Sequence, residues 1–87
     1  MEQVADSIRV AECQHTLADL YRRTSEYSDG LKALREGLDW TPKNAFEVRG
    51  KAYKMMGALH YEAGQTDSAR YWYMRSMTIF QDLKNLD

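Results

Sequence analysis

The chain has 87 residues, 44% hydrophobic and 29% charged, and its 12 basic and 13 acidic side chains give a net charge of −1. This balance is typical of a soluble globular domain rather than a disordered chain, and it lacks the basic excess of nucleic-acid-binding proteins. No run approaches the roughly 20 apolar residues of a membrane span, and the single cysteine, Cys13, excludes an intrachain disulfide framework.

Helix-forming residues dominate and there is only one proline, which predicts an all-α fold with four helices. The first helix is predicted over about residues 2–24, ending where Thr24 and Ser25 weaken helix propensity. The second is predicted over about residues 28–40, with Ser28 as its N-cap. The apolar stripes of these helices are Val4, Ile8, Ala11, Leu17, Leu20 and Tyr21 in the first, and Leu31, Leu34 and Leu38 in the second.

The third helix is predicted over about residues 42–63, with Thr41 as its N-cap and Pro42 at its first position. It carries apolar residues on two sides, so we expect neighbouring helices on both sides of it. Gly64 is expected to end it in a left-handed conformation. Thr66 is then predicted to cap a fourth helix over about residues 67–85, which has a continuous apolar stripe from Ala69 onward.

The two halves of the sequence repeat with a period of 39 residues. Small residues recur in register, because Ala18, Gly30 and Gly37 stand 39 positions before Gly57, Ala69 and Ser76. Glycine inside a helix costs nearly 1 kcal/mol relative to alanine, a cost that is tolerable where two backbones must come close. A period of this size is typical of stacked helical hairpins, so we predict two hairpins, over residues 2–40 and 42–85.

In these features the chain resembles the tetratricopeptide repeat (TPR) family. The residues that carry the resemblance in the second half are Tyr53, Met56, Gly57, His60, Gly64, Ala69, Tyr73 and Ser76, and in the first half Leu17, Ala18, Tyr21, Ser25, Tyr27, Gly30, Leu34, Gly37 and Pro42. The resemblance covers nearly the whole chain and implies one TPR-like domain stacked as a right-handed α-solenoid. The period is longer than the family's usual 34, so we expect about five extra residues at the start of the third helix.

The resemblance also implies a function, which is to bind a protein or peptide on a concave groove formed by the first helices of the repeats. The groove residues it implies are Glu12, His15, Asp19, Arg22, Arg23, Lys51, Lys54, Ala58, Tyr61 and Glu62. The basic members of this set are expected to attract an acidic partner segment. The alternative is that these residues form only the solvated side of two helices.

A second hypothesis is that the chain is an assembly element, either a four-helix bundle or part of a sensor segment in a larger regulatory protein. Solenoids generally need about three repeats, so we expect a fragment of a longer array or self-association through the fourth helix. Its predicted self-association face comprises Trp72, Met77 and Phe80. The compartment is left open, with the cytoplasm as the default.

No pattern in the sequence predicts catalysis, a cofactor or a metal site. Cys13 and His15 are two residues apart and therefore point to different faces of a helix, which makes a shared metal ion implausible. His60 is expected to be a packed or interface histidine. We therefore expect an interaction protein and not an enzyme.

Overall fold

A computed structural model describes residues 4–84 of the chain, and all of its regular structure is helical. The four helices are α1 (Val4–Arg23), α2 (Tyr27–Trp40), α3 (Phe46–Glu62) and α4 (Thr66–Lys84). The all-α prediction is therefore confirmed. The predicted start at residue 2, the predicted end at residue 85 and the side chain of Val4 lie outside the described residues.

The helices form two hairpins that lie side by side in an open row. Helix α1 packs on α2 and α3 packs on α4, while α3 also contacts both helices of the first hairpin. Within the described range α4 contacts neither α1 nor α2, and the molecule is a slab of 37 × 31 × 15 Å. A closed four-helix bundle would bring its first and last helices together. The described helices therefore form an open row and not a closed bundle, and the stacked-hairpin prediction is confirmed.

The two hairpin turns have the same hydrogen-bond pattern at positions 39 residues apart. The N–H of Glu26 donates to the Tyr21 carbonyl at 2.8 Å, and the N–H of Gln65 donates to the His60 carbonyl at 2.8 Å. Each turn is completed by a residue in the left-handed region, Ser25 with φ 62° and Gly64 with φ 83°. The left-handed residue also donates its N–H to the carbonyl three residues earlier, Ser25 to Arg22 at 3.1 Å and Gly64 to Tyr61 at 3.0 Å. Together the two bonds of each turn form the Schellman motif, which satisfies the last carbonyls of a helix. The period read from the sequence is thus reproduced in backbone geometry.

Small residues lie where the helices of each hairpin approach most closely. A methyl group built on Gly37 in α2 would lie 3.4 Å from the carbonyl oxygen of Ala11 in α1. At the equivalent place in the second hairpin, the hydroxyl of Ser76 donates a hydrogen bond of 2.9 Å to the carbonyl oxygen of Gly50. Ala69 is also buried. The prediction that the hairpins pair through small side chains is therefore confirmed.

The core lies between α2 and α3. Its largest fully buried side chains are Leu34, Met56 and Leu59. Leu17 and Leu20, which the apolar stripe of α1 predicts to be buried, are exposed instead. The reason is that α1 stands at one end of the row, so that side of it has no neighbour among the described helices.

Two predicted caps are displaced by one or two residues. Helix α2 begins at Tyr27, so Ser28 lies inside it, and Glu26 occupies the cap position without a side-chain hydrogen bond. Helix α4 begins at Thr66, because the carbonyl of Gln65 already accepts the first helical hydrogen bond. In both hairpins the Schellman turn leads directly into the next helix, and a side-chain cap has no role there.

The predicted start of the third helix at Pro42 is wrong. Thr41 ends α2, and its hydroxyl donates a hydrogen bond of 2.7 Å to the carbonyl of Gly37. Pro42 begins a turn in which its carbonyl accepts the N–H of Ala45 at 3.0 Å, and α3 begins only at Phe46. Residues 41–45 therefore form the connection between the hairpins and do not lengthen the third helix.

Candidate interaction groove

An open groove of about 630 Å³ runs between α1 and α3. It is built by the first helices of the two hairpins, with one side chain from α4. We call it the α1–α3 groove, and it is lined by Glu12, His15, Thr16, Ala18, Asp19, Arg22, Lys51, Lys54, Met55, Ala58, Leu59 and Tyr73.

Seven of the ten predicted groove residues line this groove, and three do not. Those outside it are Arg23, Tyr61 and Glu62, which lie toward the C-terminal ends of α1 and α3. Sequence reasoning missed Thr16, and it also missed the apolar lining. Met55 and Leu59 lie on an apolar side of the third helix, where the sequence predicts only packing against a neighbouring helix. Tyr73 was missed because it belongs to α4 and reaches the groove only across Gly57, whose lack of a side chain leaves room for the ring.

The α1 wall carries a network of ion pairs centred on Asp19. One carboxylate oxygen accepts from Arg22 at 2.9 Å and the other from Arg23 at 3.1 Å. Arg22 also donates to Glu62 of α3 at 3.1 Å, so this network links the two hairpins. The hydrogen bond from Arg22 holds the pKa of Asp19 below its usual value, and the same bond raises the pKa of Arg22. The charges of Arg22 and Arg23 are therefore already compensated within the protein.

The α3 wall presents two ammonium groups that are compensated much less. Lys51 is exposed and lies 3.8 Å from Glu47, one turn earlier in the same helix. Lys54 is also exposed, and it forms no ion pair with any residue between 4 and 84. Exposed pairs of this kind contribute little and exchange partners readily. This wall is therefore the part of the groove best able to receive acidic groups.

His15 lies at the bottom of the α1 wall. Its Nε2 atom is shielded from solvent and has no hydrogen-bond partner among the described residues. Burial lowers the pKa of His15; nearby Glu12 partly opposes this shift and Lys51 adds to it. The imidazole is therefore held toward its neutral form, and the lysines remain the main positive charges of the groove.

The predicted self-association face on α4 is only partly exposed. Trp72 packs against Tyr53 of α3 with ring centroids 5.4 Å apart, so it belongs to the hairpin interior. Phe80 lies across Gly50, where an added methyl group would come within 2.9 Å of its ring. Met77 is well exposed. Of the three predicted residues, Trp72 is therefore partly buried against the adjacent helix.

A cluster of aromatic and arginine side chains lies on the other side of the α3–α4 hairpin. The guanidinium of Arg75 stands 4.9 Å from the ring centre of Tyr53 and donates a hydrogen bond of 2.8 Å to the hydroxyl of Tyr71. That bond raises the pKa of Arg75. Cation–π contacts of this kind stabilise the hairpin and keep the cation at the surface. This cluster is separate from the α1–α3 groove.

No protein-family model, curated protein or solved structure matches the chain. Among the described residues, no helix combines the length and the apolar character needed to cross a membrane. Over the same range, His, Cys, Asp and Glu side chains do not gather in groups of three or more suited to a metal ion. The geometry of the groove and the internal repeat are therefore the observations on which function is argued.

Proposed function

We propose that the chain is a TPR-type interaction module that binds an extended peptide segment, carrying acidic and apolar side chains, in the α1–α3 groove. The observation that carries this proposal is the groove itself, which the first helices of two equivalent hairpins form together. Such a groove is a feature of the pairing of two repeats, since neither hairpin contains it alone. The repeated Schellman turns support the TPR assignment because they place both hairpins in one register.

The floor of the groove suits apolar side chains of a ligand. Ala18 and Ala58 keep it wide, while Met55, Leu59 and Tyr73 supply apolar and aromatic surface. Peptide-binding grooves generally combine such a floor with a few polar groups that fix orientation and specificity. A ligand would therefore insert one or two apolar side chains between α1 and α3.

The charges around the floor select acidic ligands. Asp19 is engaged by two arginines, so its negative charge is compensated. Lys51 and Lys54 project from the opposite wall with little compensation, and Glu12 is the remaining exposed acid on the α1 wall. Two ammonium groups one turn apart can each form a charge-assisted hydrogen bond with a ligand carboxylate.

Selection from a displayed library of random peptides tests this proposal. Peptides enriched on the wild-type protein are expected to contain acidic and apolar residues. The double variant Lys51→Glu/Lys54→Glu should bind the best of them about tenfold more weakly, which is about 1.4 kcal/mol. Fluorescence anisotropy of the labelled peptide measures the affinity, and raising the salt concentration should narrow the difference.

The matched control is Lys32→Glu/Lys43→Glu, which has the same net charge but alters exposed residues outside the groove. It should bind the peptide as the wild type does. Equal weakening by both double variants would mean that only net charge matters. Undiminished binding by the groove variant would mean that the peptide binds elsewhere on the protein. Either result would contradict the proposal that the α1–α3 groove is the binding site.

A further inference from the structure

We infer that copies of this chain associate head to tail, with α1 of one copy docking on α4 of the next in the way that α3 docks on α2 within the chain. The internal repeat specifies which helix surfaces would meet. Helix α1 is equivalent to α3, and α2 is equivalent to α4, at a spacing of 39 residues. The intramolecular contact between α2 and α3 is therefore a template for an intermolecular one.

The exposed face of α1 carries the residues that α3 buries. Leu17 is 39% exposed, and its equivalent Met56 is 1% exposed in the core. Leu20 is 52% exposed, and its equivalent Leu59 is 1% exposed. Both leucines are much more exposed than their equivalents, and they stand where the template places its central apolar contacts. We call Leu17 and Leu20 the leading face.

The opposite end of the row presents the matching surface on α4. Its residues Tyr73 and Met77 are equivalent to Leu34 and Leu38 of α2, which pack in the core beside α3. Met77 is 59% exposed, because none of the described helices covers α4 as α3 covers α2. We call Tyr73 and Met77 the trailing face. One chain thus carries both halves of the contact, which favours a second copy as the occupant.

The template also predicts how charges meet across the junction. Within the chain, His15 of α1 lies close enough to Lys51 of α3 for that charge to lower the pKa of the imidazole. The equivalent pair across a junction is Lys54 of one copy and Glu12 of the next. Where a neutral ring faces a cation within the chain, opposite charges would face each other across the junction, which favours this register.

Two positions depart from the template, and they weaken the contact without preventing it. Ala69 carries the methyl group that Gly30 lacks, and a methyl group at Gly30 would lie 3.1 Å from Leu59. The docked Leu20 must therefore shift slightly outward. Arg70 stands in the place of Leu31, where its aliphatic stem can cover apolar surface while the charge stays in water. We therefore expect reversible association that depends on concentration.

Sedimentation velocity over a concentration series tests the inference on the full chain. The weight-average mass of the wild type should rise above the 10.1 kDa of one copy as concentration increases. Leu20→Glu blocks the leading face and Met77→Glu blocks the trailing face, so each variant alone should remain a monomer. An equimolar mixture should form a dimer that grows no further, because only one productive junction is left.

The matched control is Met74→Glu. Met74 is 60% exposed on the same helix as Met77, but its equivalent in α2 is Arg35, which stays exposed in the template. This variant should associate as the wild type does. Circular dichroism should show all three variants to be folded, since each altered side chain is at least half exposed.

Several outcomes would overturn head-to-tail association. Self-association of Leu20→Glu at the wild-type level would indicate a symmetric contact between two α4 helices. Loss of association in Met74→Glu would indicate unspecific adhesion through exposed apolar groups. A monomeric wild type, or a mixture of the two blocked variants that stays monomeric, would show that the proposed contact between α1 and α4 does not form. Peptide binding by the blocked variants is a separate measurement, because the substituted residues Leu20 and Met77 lie outside the α1–α3 groove, whereas Tyr73 of the trailing face is part of it.

Discussion

The hydroxyl of Ser76 in α4 donates a buried hydrogen bond of 2.9 Å to the carbonyl oxygen of Gly50 in α3. Where the first hairpin has Gly37 against Ala11, the second thus has a polar link between its two helices. The bond fastens α4 at the point where the helix backbones come close. It also explains why a serine is tolerated in the middle of a helix at a buried position.

Ser76→Ala should lower the free energy of unfolding by about 1 kcal/mol, because the hydrogen bond is lost while the Gly50 carbonyl keeps its helical partner. Urea denaturation measures the change. Ser76→Gly introduces the residue that the first hairpin has at the equivalent position, Gly37. It should lower the free energy of unfolding further, since glycine lowers helix stability by nearly 1 kcal/mol relative to alanine. An unchanged denaturation midpoint in Ser76→Ala would show that the bond contributes nothing to stability.

Gly57→Ala should destabilise the protein even though alanine is the better helix former. The added methyl group would lie 2.9 to 3.0 Å from the ring of Tyr73, and such overpacking typically costs about 1 to 3 kcal/mol. This exceeds the gain of nearly 1 kcal/mol in helix propensity.

The first hairpin supplies the compensating change, because it pairs Ala18 with Leu34 at the equivalent positions. The double variant Gly57→Ala/Tyr73→Leu should therefore be more stable than the sum of its single variants implies. Thermal denaturation of the four proteins completes a double-mutant cycle. Additive effects would mean that Gly57 and Tyr73 do not constrain each other.

Substitutions of the two left-handed turn residues should change the free energy of unfolding in opposite directions. Ser25→Gly should stabilise the fold by about 0.5 to 1 kcal/mol, since Ser25 adopts φ 62° at a steric cost that glycine avoids. Gly64→Ala should destabilise it by about 1 kcal/mol for the same reason, because Gly64 has φ 83°. Chemical denaturation distinguishes the two directions, and the same sign for both changes would contradict the equivalence of the turns.

His15 should make stability depend on pH across 6.5, its ordinary pKa. Burial lowers the pKa of His15 in the folded protein, so the unfolded chain binds a proton more readily. The contribution of the neutral His15 side chain to the free energy of unfolding is therefore complete above pH 6.5, and it is lost as the pH falls toward the lower pKa of the folded state. Melting temperatures of the wild type should fall more steeply over this range than those of His15→Gln. Parallel curves for the two proteins would show that His15 is not involved.

The repeat and its small residues could be predicted from the sequence, because each reports on local geometry. Gly57 and Ser76 mark close helix contacts, and Gly64 marks a left-handed turn, whatever the rest of the fold does. The equivalence of Ser25 with Gly64 followed from the period alone, although serine rarely adopts that conformation. These positions depend on short-range sterics, which a single sequence records well.

Features that depend on how neighbouring helices pack were harder to predict from the sequence. Thr41 and Pro42 suit a helix start, but Thr41 instead bonds back to Gly37 and closes the preceding helix. Leu17 and Trp72 are both apolar at helical spacing, and only the order of the helices decides that the first is exposed and the second is packed. The engagement of Arg22 and Arg23 by Asp19 likewise depends on side-chain directions that the helical period does not specify.

Because α4 does not touch α1 in the described structure, the two ends of the row do not have to meet, and the number of hairpins is not fixed by ring closure. A duplicated segment of 39 residues, inserted at the connection over residues 41–45, would meet surfaces that the protein already makes on either side. The length of the molecule, and with it the length of ligand that it could span, can therefore change by whole units while every local contact is retained. A gene encoding such a chain can grow by simple internal duplication.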